Sequence, residues 1–199
     1  MKITLAASAL LLIIGSVQAA DKPNWNTVGL SLNLSELDTQ DLEGFGISGS
    51  KLITNRVFVI GSYDSVGTSV EAFSGNTIVS ADVDLNTLSA GVGYRHPVAP
   101  TTDLFGVLSY ENIEAEASLG SLSDSDDNNG YGVTIGVKAA VTSAIELTAS
   151  VGMVEIEDES ENRTKVSGKY QFNNKFSVGA GYESFSDLDT VSLSANMNF

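Results

Sequence analysis

The side chains able to do chemistry in this sequence are few, and their spacing argues against catalysis. His96 is the only histidine, cysteine is absent, and His96 stands beside Pro97 in a stretch that reads as a short turn. A general base must reach the proton it removes before its pKa matters, and no nucleophile is grouped with His96. No Gly-x-Ser-x-Gly elbow sits on a strand-to-helix turn. Phosphate loops and dinucleotide fingerprints are absent too. The glycines of 44–49 and 91–93 fall in strand-like stretches, where they let a strand bend. The chain is therefore expected not to be an enzyme and to need no cofactor. One acidic run, Asp124-Ser125-Asp126-Asp127-Asn128-Asn129-Gly130, resembles half of a calcium loop. Its glycine is one place late and Ile135 stands where a bidentate acid is needed, so no specific metal site is expected. Asp124, Asp126 and Asp127 are candidates only for weak, shared binding of divalent cations.

Charge narrows the partners. The 199 residues carry 25 acids against 10 bases, a net charge of -15. Neutralising a phosphate backbone requires clustered Lys and Arg, so nucleic acid is excluded. The acids are also unevenly placed: all but Asp21, Asp103 and Glu146 fall in or beside five longer connections of the reading given below. Lys22, Lys51, Arg56, Arg95 and Lys175 gather at the opposite ends of the same segments. A negative rim facing a basic one is expected.

The elements that hold these charges are strands. Val191, Leu193, Ala195, Met197 and Phe199 alternate with Ser192, Ser194, Asn196 and Asn198, a period of two. The same pattern predicts ten strands, at 26–36, 42–53, 56–66, 84–95, 102–116, 130–140, 145–156, 163–172, 175–184 and 190–199. Short turns at Thr54-Asn55, Pro97 to Thr101, Thr142-Ser143-Ala144 and Asn173-Asn174 use turn-forming residues. They alternate with longer connections at 37–41, 67–83, 117–129, 157–162 and 185–189. Ahead of the strands, Lys2, the apolar run Ile3 to Gly15 and Val17-Gln18-Ala19 read as a secretory signal peptide, 1–19, cleaved after Ala19. That run is about 13 residues, short of the roughly 20 a spanning helix needs. Residues 20–199 then form a single domain.

Alternation alone also fits a soluble sandwich. Three features favour a membrane barrel. The minority face is rich in Gly, Ser, Thr and Asn, which suits a narrow interior, with Phe58, Ile60, Phe105, Arg95, Lys138, Lys169 and Glu146 expected to fill it. Aromatics sort by depth: Phe45, Tyr63, Tyr110, Tyr131 and Tyr182 lie toward the longer connections, and Trp25, Tyr94, Phe172, Phe176 and Phe199 toward the short turns. Two such belts are what two membrane interfaces select. The charge polarity is the third. The expected fold is all-β: a single transmembrane antiparallel up-and-down barrel of ten strands, with eight as the alternative.

Gly91-Val92-Gly93-Tyr94-Arg95-His96, Thr102-Asp103-Leu104, Gly181-Tyr182-Glu183 and the terminal Phe199 resemble the small outer-membrane β-barrel domain family, the OmpA/OmpX-like porin-family proteins. The resemblance implies the outer membrane of a Gram-negative bacterium, with outer-membrane lipid and lipopolysaccharide as neighbours. It also implies contact with the barrel-insertion machinery, for which Phe199, Met197 and Ala195 would be the assembly signal. The expected role is that of a monomeric scaffold with acidic extracellular loops that interacts at the surface and holds divalent cations weakly. A narrow cation-preferring channel is the alternative, and an outer-membrane enzyme ranks below both.

Overall fold

In a computed structural model, residues 22–37, 40–74, 77–119, 122–157 and 159–199 are described. The expected signal segment lies outside the described residues. Ten antiparallel strands close into one barrel: β1 (Thr27–Leu37), β2 (Gln40–Leu52), β3 (Val57–Ser74), β4 (Thr77–Ala99), β5 (Thr102–Leu119), β6 (Leu122–Ala140), β7 (Ile145–Ile156), β8 (Glu159–Gln171), β9 (Phe176–Phe185) and β10 (Leu188–Asn198). Each strand pairs with its neighbours in sequence, and β1 pairs with β10 from Thr27↔Asn198 to Leu37↔Leu188. Full closure leaves the wall without an edge, which is what allows strands to cross hydrocarbon. Among the described residues no helix is long and apolar enough to cross a membrane.

Period-two alternation sets which side chains face out. Leu32 is 70% exposed, Leu108 67% and Leu193 62%, while Asn33 and Asn196 on the opposite face are buried. A water-soluble protein would hide those leucines; here the apolar face is the outer one and the polar face lines the interior. Val137 and Ala149 belong to the outward set by register, yet both are buried.

Three short turns close by one device. Thr54 Oγ1 accepts from the Arg56 and Val57 amides, Thr142 Oγ1 from those of Ala144 and Ile145, and Asn173 Oδ1 from those of Lys175 and Phe176. A side chain that satisfies the next turn's amides is the reason such residues start turns. The fourth short connection is tighter than expected: β4 runs on through His96 and Pro97 to Ala99, with a register shift between Pro97 and Ala99. Proline cannot donate to the ladder, and a shift there accommodates it.

The larger correction concerns the long connections. Residues 67–83 and 117–129, expected as loops, are mostly strand: β3 and β4 stay paired to Ser74↔Thr77, and β5 and β6 to Leu119↔Leu122. Residues 40–41 and 159–162 are likewise strand. Beyond the hydrocarbon neither face has to be apolar, so alternation fades while backbone pairing continues.

Candidate functional site

Two layers of side chains cross the interior. The layer nearer the short turns is built around Trp25. The chain enters before β1, and Asn24 Oδ1 accepts the Asn26 amide at 2.9 Å, turning the backbone so that the indole points inward. Trp25 is 4% exposed, so it belongs to the lumen and not to the aromatic belt expected for it. An amphipathic indole suits either place, and the buried site supplies both an apolar bed and an acceptor. Its ring lies 4.3 Å from that of Phe58 and 5.4 Å, edge-on, from that of Phe105. Its Nε1 donates to Asp103 Oδ2 at 2.7 Å, an oxygen that Arg95 also binds at 2.8 Å.

A second ion pair completes this layer. Lys138 Nζ lies 3.1 Å from Glu146 Oε1, donates to the Asn24 carbonyl, and sits 4.7 Å above the Trp25 ring. Glu146 Oε2 accepts the Asn24 amide at 2.7 Å. One short segment is thus clamped by groups from β6 and β7, with its indole held from β3 and β5. Of the residues expected to fill the interior, Phe58, Arg95, Lys138 and Glu146 meet here and Phe105 packs partly buried against them. Ile60 points inward but is 40% exposed, so it fills less than expected.

The layer toward the long hairpins is ionic. Arg163 Nη1 binds Glu111 Oε2 at 3.1 Å, Arg163 Nε approaches Glu183 Oε1 at 3.4 Å, and Lys165 Nζ binds Glu183 Oε2 at 2.7 Å. Ser89 and Ser109 donate to Glu111 Oε1, and Asn33 donates to Asp64 at 2.8 Å. Arg163 also stacks on Phe185 at 4.5 Å. Asp64, Glu111 and Glu183, read from the sequence as part of an acidic rim, are therefore interior groups with partners. They continue the inward alternation of Ser62, Ser109 and Gly181 with no register shift at these strand ends. Of these groups Glu111 is fully buried and Arg163 largely so, whereas the Glu183 and Lys165 side chains are 28% and 52% exposed.

Above the barrel four strands continue as a raised sheet. β2 leaves β3 after Glu43↔Gly67, and β7 joins β6 only at Gly130↔Ile156. Residues 68–74 of β3 and 123–129 of β6 therefore pair on one side only. Within this sheet Asp84 stands directly opposite Glu116, and Glu114 directly opposite Asp127. The candidate cation ligands are spread along it: β6 is extended, so Asp124 and Asp126 share one face and Asp127 takes the other. Asn128 donates to Asp126 and Asn112 to Asp127. Among the described residues no three His, Cys, Asp or Glu converge as a metal cluster. His96 is exposed on the outer side of β4 opposite Leu104.

The expected belt residues other than Trp25 are all outward and exposed, namely Phe45, Tyr63, Tyr110, Tyr131 and Tyr182 at one level and Tyr94, Phe172, Phe176 and Phe199 at the other. Met197 and Ala195 line up with Val28 and Leu30 on the outer face of the closing seam.

The sequence family described as "Outer membrane protein beta-barrel domain" matches residues 7–185. No curated protein matches the sequence. Among solved structures, the translocator domain of autotransporter NalP from Neisseria meningitidis superposes with a TM-score of 0.54 at 8% identity, covering 100% of this chain and 96% of that one. The KdgM porin, solved with disordered oligogalacturonate, gives 0.52 at 9% identity, covering 87% of this chain and 99% of that one. The NanC porin gives 0.50 at 8% identity, covering 85% and 98%. At such identities the likeness is one of fold alone.

Proposed function

The chain belongs to the outer membrane protein β-barrel domain family, and from that premise we propose that it is a closed scaffold of the Gram-negative outer membrane whose raised acidic sheet meets cationic partners at the cell surface. The observation that carries this reading is the pair of like-charge contacts, Asp84 opposite Glu116 and Glu114 opposite Asp127, at the base of the sheet where it rises from the barrel wall. Like charges directly opposite each other on neighbouring strands are destabilising. A cationic partner turns that cost into attraction and steers its own approach. The one-sided strands 68–74 and 123–129 offer backbone groups to a partner chain in extended form. Lipopolysaccharide-bound divalent cations suit the same charges in a weaker, shared way. The exposed aromatics at the two levels anchor the scaffold at the two interfaces.

The interior supports a scaffold over an open pore, because the Trp25 layer and the Arg163 layer both span it. One observation favours the channel alternative: between the layers the wall is lined by small residues such as Ser31, Gly91, Thr134 and Ser192, and inward-facing Ile60 is 40% exposed.

Binding of fluorescent oligolysine and oligoglutamate to proteoliposomes tests the proposal, with the protein compared against a variant carrying Asp84→Asn, Glu114→Gln, Glu116→Gln and Asp127→Asn. Salt-sensitive oligolysine binding that weakens in the variant is the expected result. Equal binding by both proteins would remove the role of the raised sheet. In a planar bilayer, steady cation-selective openings by the unmodified protein would favour the channel instead.

A further inference from the structure

The outer wall carries a notch at the level of the short turns. Two rows of outward side chains run around it by cross-strand pairing: Val57, Tyr94, Gly106 and Ile135 in one, Val92, Leu108 and Val133 in the next. Gly106 interrupts the first row. A Cβ built there meets nothing nearer than the Thr134 carbonyl oxygen at 3.8 Å, so the site is open where its neighbours are filled. The result is a groove of about 350 Å³ between Tyr94 and Val92 on one side and Ile135 and Val133 on the other, with the backbone of Gly93 and Gly106 in its lining.

A polar group stands at the mouth. Tyr94 is the aromatic side chain of its row, and its hydroxyl accepts from Arg56 Nη1 at 3.0 Å. Arg56 lies in the exposed β2–β3 turn, and Lys51 is exposed in the same hairpin. The groove thus runs from a cationic group at the membrane edge into the apolar band, rising about 6–7 Å between Gly106 and Leu108.

The medium decides what fills it. This wall faces hydrocarbon, and an empty notch forfeits dispersion contacts on its lining. The short-turn end of a bacterial barrel is the periplasmic end, so the lipid at this depth is a phospholipid and not lipopolysaccharide. A guanidinium has five donors, one of which here goes to Tyr94, and its planar fork suits a phosphate. We propose that this groove is a fixed site for one phospholipid of the periplasmic leaflet, one acyl chain lying over Gly106 and the phosphate held by Arg56 beside the Tyr94 hydroxyl. Tyr94 orients the guanidinium and walls the chain on one side.

The experiment is native mass spectrometry of the full barrel, refolded in palmitoyl-oleoyl-phosphatidylglycerol bilayers and moved stepwise into detergent. The unmodified protein is expected to keep one lipid per barrel after the others have washed away. Gly106→Leu fills the groove and should retain about fivefold less. Arg56→Gln removes an exposed charge contact and should retain about two- to fivefold less, the range of such pairs. Ala180→Leu on another wall should match the unmodified barrel. Heat-modifiable gel mobility confirms folding of each variant, and if Gly106→Leu does not fold, Arg56→Gln decides alone because its side chain lies in an exposed turn. Retention of no lipid by the unmodified protein, or equal retention by the folded groove variants, would overturn the proposal.

Discussion

The phenyl ring of Phe58 rests on the backbone of Gly93, its direct cross-strand partner: a Cβ built on Gly93 would fall 2.1 Å from Phe58 Cζ. Phe105 and Gly136 repeat the arrangement on β5 and β6, where the built Cβ falls 2.5 Å from the ring. Two glycines thus make room for the two phenyl groups on which Trp25 lies.

Gly93→Val should therefore displace Phe58 and disturb the whole interior layer. Overpacking of a tight site costs about 1–3 kcal/mol. Urea unfolding of the protein in lipid reads this as a lowered midpoint. Gly49→Ala, whose Cβ would meet only the Thr27 carbonyl oxygen at 3.4 Å, should leave the midpoint in place. Equal effects of the two changes would mean that the Phe58–Gly93 contact is not specific.

The wall of this barrel was legible in the sequence for the reason that one face meets hydrocarbon: Val191 to Phe199 has to alternate. Thr54, Thr142 and Asn173 marked turns because their side chains cap the next amides. What the alternation could not show was structure beyond the membrane, where the paired segments at 68–74, 77–83 and 122–129 carry polar groups on both faces. Gly75-Asn76 and Gly120-Ser121 were the available signals, as glycine-containing dipeptides of the kind that close two-residue hairpins. The interior was legible in part. Arg95, Lys138 and Glu146 stood alone among small residues, whereas Asp64, Glu111 and Glu183 were masked by the many acids around them. Trp25 could have been placed only by knowing that Asn24 turns the chain inward.

Trp25 is the only tryptophan, which makes its position directly measurable. Folded into bilayers of brominated phospholipid, the protein should keep most of its tryptophan emission, because the indole lies inside the wall. A ring in an interfacial belt would be quenched strongly. Trp25→Ala should also cost about 3–5 kcal/mol, the range for deleting a large buried aromatic. Strong bromine quenching would return Trp25 to the belt and remove the inner layer built on it.

The Lys138–Glu146 pair should show the asymmetry expected of buried charges. Both side chains are nearly inaccessible, at 8% and 3% exposure, so removing one takes away the other's ion-pair partner and leaves Glu146 only the more distant charge of Lys169 across β7 and β8. Lys138→Met alone should cost about 3–5 kcal/mol, while Lys138→Met combined with Glu146→Leu should recover much of it. Recovery will be incomplete, since Glu146 also accepts the Asn24 amide and Lys138 donates to the Asn24 carbonyl. A double-mutant cycle on urea midpoints gives the coupling. Additive losses would show that the two groups do not act as a pair.

Phe199 separates assembly from stability. Its amide donates to the Asn26 carbonyl at 3.0 Å at the end of the seam where β10 closes on β1, but its ring is 60% exposed, and the Lys51 ammonium lies 6.0 Å from it. A ring on the outer surface packs against little protein, so Phe199→Ser keeps the backbone bond and should lose well under the several kcal/mol of a buried aromatic. Deleting Phe199 adds the loss of one hydrogen bond, about 0.5–1.5 kcal/mol. Neither change should prevent refolding of purified protein into lipid. The assembly role expected for Phe199, Met197 and Ala195 predicts that in cells the same changes lower the folded yield several-fold. Heat-modifiable mobility measures the folded fraction in both settings, with Phe199→Tyr expected to restore the cellular yield. Unchanged yield in cells would sink the assembly role, and an equal loss in both settings would assign the effect to stability of the β1–β10 seam.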